Sequence, residues 1–208
     1  MNDYITVNGA AEASLTEKKS VFIANISPVT TDEDAVAFIN AVKRKYPDAK
    51  HNVYAYVLRD GSSTRYSDDR EPSGTAGMPV LDTIRKSGIT DTAIVVTRYF
   101  GGILLGTGGL VRAYSAAAKK AIEAAHICKR EIYAEYSVQS TYTDYQKILP
   151  IISDNRIKIS DTTFSDSVRL VISFPKTKES DIVSKIKETT FGRSLPLKIS
   201  EKYDFSEV

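Results

Sequence analysis

Two glycine-containing segments with basic residues nearby are the part of this sequence that could perform chemistry. One runs from Arg98 through Gly106-Thr107-Gly108-Gly109 to Arg112, and the other is Ser73-Gly74-Thr75. Both are typical of a loop leading into a helix, whose first amides are free donors and carry the positive end of the helix dipole. Such amides, reinforced by guanidinium groups, bind anions such as phosphate. We therefore predict an anion site formed by Ser73, Gly74, Thr75, Arg98, Gly106, Thr107, Gly108, Gly109, Arg112 and Lys119.

Tyrosines follow the arginines closely in the pairs Arg65-Tyr66 and Arg98-Tyr99 and in Arg112-Ala113-Tyr114. Arginines hold phosphates, and exposed tyrosine rings stack on unpaired bases. Lys119 shares a helix face with Arg112 at i+7 and would extend a phosphate track. The preferred hypothesis is a protein that binds RNA or the ribosome, with Tyr66, Tyr99 and Tyr114 as stacking candidates. The alternative is that the tyrosines pack internally and the arginines form ion pairs.

A second hypothesis is an enzyme acting on a small phosphorylated compound. Asp68, Asp69 and Glu71 could hold Mg²⁺, and His51 could serve as a general base. However, the glycine loops lack the Gly-Lys-Ser/Thr ending of a P-loop and the third glycine of a dinucleotide fingerprint. The acidic residues could equally form a solvated loop that caps a helix through Glu71 and Ser73. Catalysis is therefore less favoured, no cofactor is predicted, and a protein-interaction module in translational control stays open as a third hypothesis.

Composition narrows the class of protein but selects no partner. The formal net charge is +2, with 42% hydrophobic and 26% charged residues, as in ordinary globular proteins. With Cys128 as its single cysteine and two histidines, the chain cannot build an internal disulfide or a closed Cys/His zinc centre. No apolar run reaches the length of a membrane span, and the first residues lack the pattern of a signal peptide. A cytoplasmic location without membrane association is expected, and no oligomeric state is predicted.

The elements that must position these residues alternate between strand and helix periodicity. The β-branched run 94–96 indicates a buried strand before Arg98, and a stripe of small residues from Leu110 to Ala124 indicates a helix after the glycine loop. Thr30 and Glu33 predict a capping box for an earlier helix. Beyond Ala125 the order β-α-β-β-α-β is that of a ferredoxin-like domain, with Pro150 kinking or shortening one helix. We predict an α+β fold with a glycine-motif domain over 1–128 and a ferredoxin-like domain over 129–208.

The segments Glu71–Pro79 and Arg98–Tyr114 closely resemble the signatures of the IMPACT/YigZ family, in its bacterial two-domain form. The segments His51–Tyr56 and Lys19–Ala24 are also similar to the family. The resemblance implies a first domain like a ribosomal small-subunit protein and domain IV of elongation factor G, and a second domain like the fifth domain of elongation factor G. It also implies a translation-associated role, since eukaryotic relatives are linked to translational control through a protein partner. The chain departs from the family at Arg70, where glycine is usual.

Overall fold

The computed structural model describes residues 3–59 and 63–207, and within those ranges it is an α+β protein with ten strands and five α-helices. The strands are β1 (Tyr4–Val7), β2 (Ala11–Glu17), β3 (Ser20–Pro28), β4 (His51–Val57), β5 (Thr64–Ser67), β6 (Thr92–Tyr99), β7 (Ile127–Ser140), β8 (Lys158–Phe164), β9 (Val168–Pro175) and β10 (Pro196–Glu207). The helices are α1 (Asp32–Lys45), α2 (Gly77–Ser87), α3 (Thr107–Ala124), α4 (Tyr142–Asp154) and α5 (Glu179–Thr189).

The chain divides into two compact units, which consist essentially of Tyr4–Lys129 and Arg130–Ser206. In the first unit an antiparallel sheet has the strand order β2-β3-β6-β4-β5. Its central strand, β6, is buried from Thr92 to Arg98, which agrees with the β-branched run predicted there. Because successive side chains of a strand point to opposite faces, β6 supplies apolar residues to two separate cores.

Helices α2 and α3 pack on one face of this sheet, and α1 packs on the other. On α3 the predicted stripe is buried from Leu110 through Ala113 and Ala117 to Ala121, whereas Ala124 is exposed. Small side chains let the helix axis approach the sheet closely, and α3 contacts both β2 and β3. This close packing fixes where the glycine loop before α3 presents its backbone.

Two local details differ from the sequence prediction. The N-cap of α1 is Thr31, whose hydroxyl accepts from the amide of Asp34, so the predicted Thr30–Glu33 box is displaced by one residue. Asp34 in turn accepts from the amide and hydroxyl of Thr30. Helix α4 continues past Pro150 to Asp154, because one missing amide donor is tolerated when flanking residues such as Ile148 and Ile152 are buried.

The second unit contains β7, α4, β8, β9, α5 and β10 in that order. Its sheet has the order β10-β7-β9-β8, with β9 antiparallel to both neighbours. One face of the sheet forms a core with α4 and α5 that includes Val138, Leu170 and Ile186. Within 3–59 and 63–207 the helices include none that is both long and apolar enough to cross a membrane.

Candidate functional site

The start of α2 is occupied by a carboxylate of the chain itself. One oxygen of Asp68 accepts from the amide of Gly74 at 2.9 Å, and the other accepts from the amides of Ala76 at 3.0 Å and Gly77 at 2.8 Å. Gly77 must be glycine because an added Cβ would lie 2.7 Å from the backbone of Ser67. The amides of Gly74, Ala76 and Gly77, at the helix start where an external anion was predicted, are therefore bonded to the side chain of Asp68.

The neighbouring residues Asp69 and His51 also make internal hydrogen bonds. The Asp69 carboxylate accepts from the amide of Asn52 at 2.6 Å. The ring Nδ1 of His51 lies 2.9 Å from the carbonyl oxygen of Asp69, and a carbonyl can only accept, so Nδ1 carries the proton. Asp69 and Arg70 both have left-handed backbone angles, with φ of 38° and 71°. Arg70 is thus a non-glycine residue held in a strained backbone conformation.

Arg98, Glu71 and Tyr114 form a buried polar cluster beneath these loops. Nη1 of Arg98 donates to Oε1 of Glu71 at 2.7 Å, and the hydroxyl of Tyr114 donates to the same oxygen at 2.7 Å. The Arg98 and Glu71 side chains are 7% and 4% exposed, and Tyr114 is fully buried. The guanidinium group also lies over the rings of Phe22 and Phe100. Residues from β6, from the loop before α2 and from α3 are therefore joined in one cluster.

Burial determines what this cluster can do. Burial of Tyr114 away from water raises the pKa of its hydroxyl far above the ordinary value, and the negative charge of Glu71 is the second largest cause. Tyr114 stays a neutral hydroxyl and packs edge-on against Phe22 at 5.1 Å between ring centres. Its ring has no surface on which a base could stack, which corrects that prediction. Arg98 likewise has its charge neutralised by Glu71, so the interpretation of Arg98 as a phosphate ligand is replaced by that of a buried ion-pair partner.

The start of α3 is open, in contrast to that of α2. Thr107 and Gly108 are exposed, and across the described ranges no side chain caps the first turn of the helix. Arg112 is exposed one turn further on and has no ion-pair partner in the part of the chain that the structure describes. Its Nη1 would lie 3.6 Å from a Cβ added at Gly108, so the guanidinium group reaches back toward the helix start. Of the predicted anion ligands, Gly106, Thr107, Gly108 and Arg112 are therefore exposed together at one helix start.

The loop before α3 is tightly coupled to the turn between β2 and β3. Lys18 and Lys19 in that turn have φ of 44° and 66°. The amide of Gly101 donates to the hydroxyl of Ser20 at 3.1 Å, and a Cβ added at Gly101 would lie 2.0 Å from the carbonyl carbon of Lys19. Only glycine can therefore occupy position 101 without displacing backbone.

A groove of about 800 Å³ lies between α2 and α3 on the surface of the first unit. The chain enters α2 from the Ser67 end of β5 and α3 from the Tyr99 end of β6, and both strand ends lie beside the His51–Tyr54 part of β4, so the two helices begin at the same end of the groove. Arg112 also lines a smaller hollow of about 200 Å³ on the other side of α3. The apolar lining of the groove comes from Met78, Pro79, Val111, Ala116 and Ile122, and its charged residues are Asp82, Lys86, Arg112, Lys119 and Glu123.

Comparisons with known proteins match both units of the chain. The sequence profile described as the Impact N-terminal domain matches residues 18–122, and that described as a domain of unknown function (DUF1949) matches 138–193. The IMPACT family member YvyE of Bacillus subtilis is 34% identical over 93% of this chain and 90% of its own length. The chain belongs to the IMPACT family. The IMPACT family member YigZ of Escherichia coli is 34% identical over 88% of the chain and 92% of its own length.

Two further comparisons concern a eukaryotic relative and a solved structure. The protein IMPACT homolog of Dictyostelium discoideum is 39% identical over 45% of this chain and 28% of its own length. A solved structure titled "Crystal structure of an hypothetical protein" has a TM-score of 0.61 and 32% identity, and covers 96% of this chain and 98% of that one. The two-unit α+β architecture is therefore shared with a solved relative.

The remaining predicted residues of this IMPACT chain lie apart from the open α3 start or are already paired. Tyr66 is 42% exposed on β5. The hydroxyl of Tyr99 donates to Asp48 at 2.8 Å, and this bond raises the pKa of Tyr99. Lys119 lines the groove, where its ammonium lies 3.6 Å from Glu123. Ser73 is exposed, whereas Thr75 is buried and its hydroxyl donates to the carbonyl of Pro72 at 2.6 Å.

The structure brings together no metal-binding cluster at the predicted acidic residues. Asp68, Asp69 and Glu71 direct their carboxylates to backbone amides, to Arg98 and to Tyr114, as described above. A search of the described ranges for three or more His, Cys, Asp or Glu side chains placed to share an ion finds none. The three carboxylates hold the loops around the helix starts, which leaves the Mg²⁺-enzyme hypothesis without ligands from this segment.

Sequence reasoning missed the residues that form the groove. Val111, Ala116 and Ile122 lie beside the buried stripe of α3, and Met78 and Lys86 lie on the outer face of α2. The sequence does contain one indication of the groove, which is a second set of apolar residues on α3 that lie outside the buried stripe. That signal becomes informative only once α2 is known to lie next to α3.

Proposed function

We propose that this protein is a translation-associated interaction module that binds a protein partner through the groove between α2 and α3. Membership of the IMPACT family supports the association with translation, because the resemblance described above links eukaryotic relatives to translational control through a protein partner. The observation that carries the choice of surface is the groove itself, which combines an apolar lining with charged residues along its rim. Exposed apolar surface bordered by polar residues is typical of protein-interaction sites.

The groove favours a protein over a nucleic acid as the partner. RNA binding draws most of its affinity from several cations that neutralise phosphates. Of the predicted cations, Arg98 is paired with Glu71, and Lys119 lies close to Glu123. Apolar residues such as Met78, Val111 and Ala116 offer nothing to a phosphate backbone. They do provide contact area for apolar side chains of a protein.

Binding of RNA or the ribosome is the second candidate function, and one specific observation favours it. The uncapped start of α3 presents Thr107 and Gly108 next to the exposed guanidinium group of Arg112. This arrangement suits a single phosphate. If RNA is the partner, affinity for structured or single-stranded RNA falls with salt, and Arg112→Glu weakens it while Arg44→Glu, an exposed arginine on α1, does not.

The finer domain assignments are also proposals. The element order of the second unit and its strand order β10-β7-β9-β8 support a ferredoxin-like domain similar to the fifth domain of elongation factor G. The match of residues 18–122 to the Impact N-terminal domain supports the proposed likeness of the first unit to a ribosomal small-subunit protein and to domain IV of elongation factor G.

Site-specific photo-cross-linking in living cells tests the proposed function. A benzophenone amino acid replaces Ser115, which lines the groove, and in a control chain it replaces Val36, which is exposed on α1. We expect a protein of the translation machinery to be cross-linked at 115 but not at 36, with and without nuclease treatment. Val111→Asp, which places a charge in the groove, reduces this product about tenfold or more.

Three outcomes would contradict the proposal. The first is the absence of any protein cross-linked at position 115, and the second is a partner with no part in translation. The third is a product that disappears with nuclease, which would support the RNA candidate instead. Val36→Asp is the matched control for Val111→Asp, because it makes the same change on an exposed helical valine outside the groove.

A further inference from the structure

The chemistry of the groove specifies its partner further. We infer that it receives an amphipathic helix with an apolar stripe and acidic residues at the end that meets Arg112. This inference rests on the proposed function, since it describes the partner segment expected at the same groove.

The dimensions of the groove match a helix. Its lining runs from Met78 to Ser87 along α2 and from Val111 to Glu123 along α3. At a rise of 1.5 Å per residue these stretches are about 14 Å and about 18 Å long, or roughly three turns. Two neighbouring helices that begin at the same end form ridges between which a third helix can pack. A helix laid in such a groove is a recurrent form of peptide recognition.

The lining selects apolar side chains along most of this length. Met78 and Pro79 on α2 face the groove together with Val111, Ala116 and Ile122 on α3. Ala116 leaves room for a larger side chain of the partner, and Met78 can adjust its shape to it. A partner helix with apolar residues at i, i+3, i+4 and i+7 would bury its stripe against these side chains.

The charges are distributed unevenly along the rim, and this distribution predicts the sign of the charge that the partner carries. Lys119 lies 3.6 Å from Glu123, and Asp82 and Lys86 are one turn apart on α2, so these four charges offset one another. Arg112 accounts for the remaining positive charge of the lining, has no ion-pair partner among the described residues and lies near the uncapped start of α3. The positive end of the helix dipole adds to its charge. The complement to this end of the groove is a carboxylate.

The chemistry can be tested with synthetic peptides in place of the natural partner. The acidic probe is a fluorescent helical peptide of about 15 residues with leucines at i, i+3, i+4, i+7 and i+11 and glutamates in one terminal turn. The basic probe has lysines in place of the glutamates, and the scrambled probe distributes the same leucines around the helix. Binding to the full chain is measured by fluorescence anisotropy at low salt, where rim charges are least screened.

We expect the wild-type chain to bind the acidic probe about fivefold or more tightly than the basic one, given ordinary rim ion-pair and dipole energies. Arg112→Glu should reverse this preference, whereas Arg44→Glu, the matched exposed arginine on α1, should leave it unchanged. Val111→Asp should weaken both probes and Val36→Asp neither. The reversal by Arg112→Glu is a gain of binding for the basic probe, which an unfolded variant could not produce.

Equal binding of the acidic and basic probes, or of the scrambled probe, would overturn the inference. So would self-association of the chain that Val111→Asp abolishes, because the occupant would then be a second copy. If a translation protein is cross-linked at position 115 but the probes show no preference, the proposed function stands and the inference fails. If the probes show the reversal but no partner is cross-linked, the proposed function fails and the chemistry of the groove stands.

Discussion

The buried cluster of Arg98, Glu71 and Tyr114 makes a quantitative prediction about stability. We consider three single variants, Arg98→Met, Glu71→Leu and Tyr114→Phe, and the triple variant that combines them. Each substitution replaces a polar group by an apolar one of similar size. Arg98→Met and Glu71→Leu each leave a buried charge without its ion-pair partner and Tyr114→Phe removes one hydrogen bond to Glu71, whereas the triple variant leaves none of the three polar groups.

The magnitudes follow from the burial of the three side chains. With Arg98 7% and Glu71 4% exposed, removing either leaves an uncompensated charge away from water, which costs about 3–5 kcal/mol of unfolding free energy. Tyr114→Phe removes one hydrogen bond to a charged acceptor that keeps its bond to Arg98, so we expect a loss of about 1.5–3 kcal/mol. The triple variant should fall within about 1–2 kcal/mol of wild type, because buried ion pairs are replaced by packed apolar groups at little net cost.

The assay is urea unfolding of the full chain followed by far-UV circular dichroism, with hydrogen exchange of the β6 amides to assign the transition of the first unit. Two compact units can unfold separately, so the transition that contains β6 must be identified before free energies are compared. The reasoning is refuted if Arg98→Met costs less than about 1 kcal/mol or if the triple variant is no more stable than the single variants.

Three further predictions concern the loop before α2 and the second unit. Asp68→Ala removes the acceptor for three amides at the start of α2 and should cost about 1–2 kcal/mol, as measured by urea unfolding. Arg70→Gly relieves a left-handed backbone (φ 71°) and should stabilise the chain by about 1 kcal/mol in the same assay, less whatever its bond to the Lys50 carbonyl contributes. Hydrogen bonding and charge attraction from Arg193 lower the pKa of Asp144, so the folded state binds that proton more weakly than the unfolded state, and the second unit loses stability as the pH falls below about 4. In Asp144→Asn, the stability of the second unit should depend less on pH below about 4, as measured by acid unfolding followed by circular dichroism.

Each of these predictions has a control within the chain. Asp68→Asn keeps the size of the side chain and one carbonyl acceptor, so a loss equal to that of alanine would argue against the capping bonds. Arg70→Ala removes the same side chain but keeps the strained backbone, and an equal gain from alanine and glycine would show that strain is not the cause. Asp181→Asn removes an exposed carboxylate that pairs with Lys185 on α5, and it should leave the loss of stability at low pH unchanged. If Asp144→Asn still loses stability steeply at low pH, groups other than Asp144 cause that loss.

Local patterns predicted the elements well where one signal dominates. The β-branched run of β6 and the small-residue stripe of α3 are buried patterns that are visible within one short stretch of sequence, and both were located correctly from periodicity. The cap of α1 was displaced by one residue because Thr30 and Thr31 are adjacent and either hydroxyl can begin a helix. Pro150 did not end its helix, since packing against the sheet outweighs the loss of one backbone bond.

The site was predicted less completely, because its partners are set by tertiary structure. The sequence indicated anion-binding amides at the start of α2 and offered Glu71 and Ser73, rather than Asp68, as residues that could cap this helix. Only the loop conformation, with Asp69 and Arg70 in left-handed angles, shows that Asp68 does so. The pairing of Arg98 with Glu71 joins residues 27 positions apart, and no local pattern encodes it.

The contact between Gly101 and Lys19 constrains how this protein can vary. There is no room for even one methyl group at this contact, so the turn between β2 and β3 sterically limits the position of the loop that leads into α3. Most surface hairpins tolerate a longer turn. Here a longer turn would clash with the backbone of the loop at Gly101 and shift the first turn of α3. Natural and engineered relatives should therefore conserve the length of this hairpin even where its residues differ.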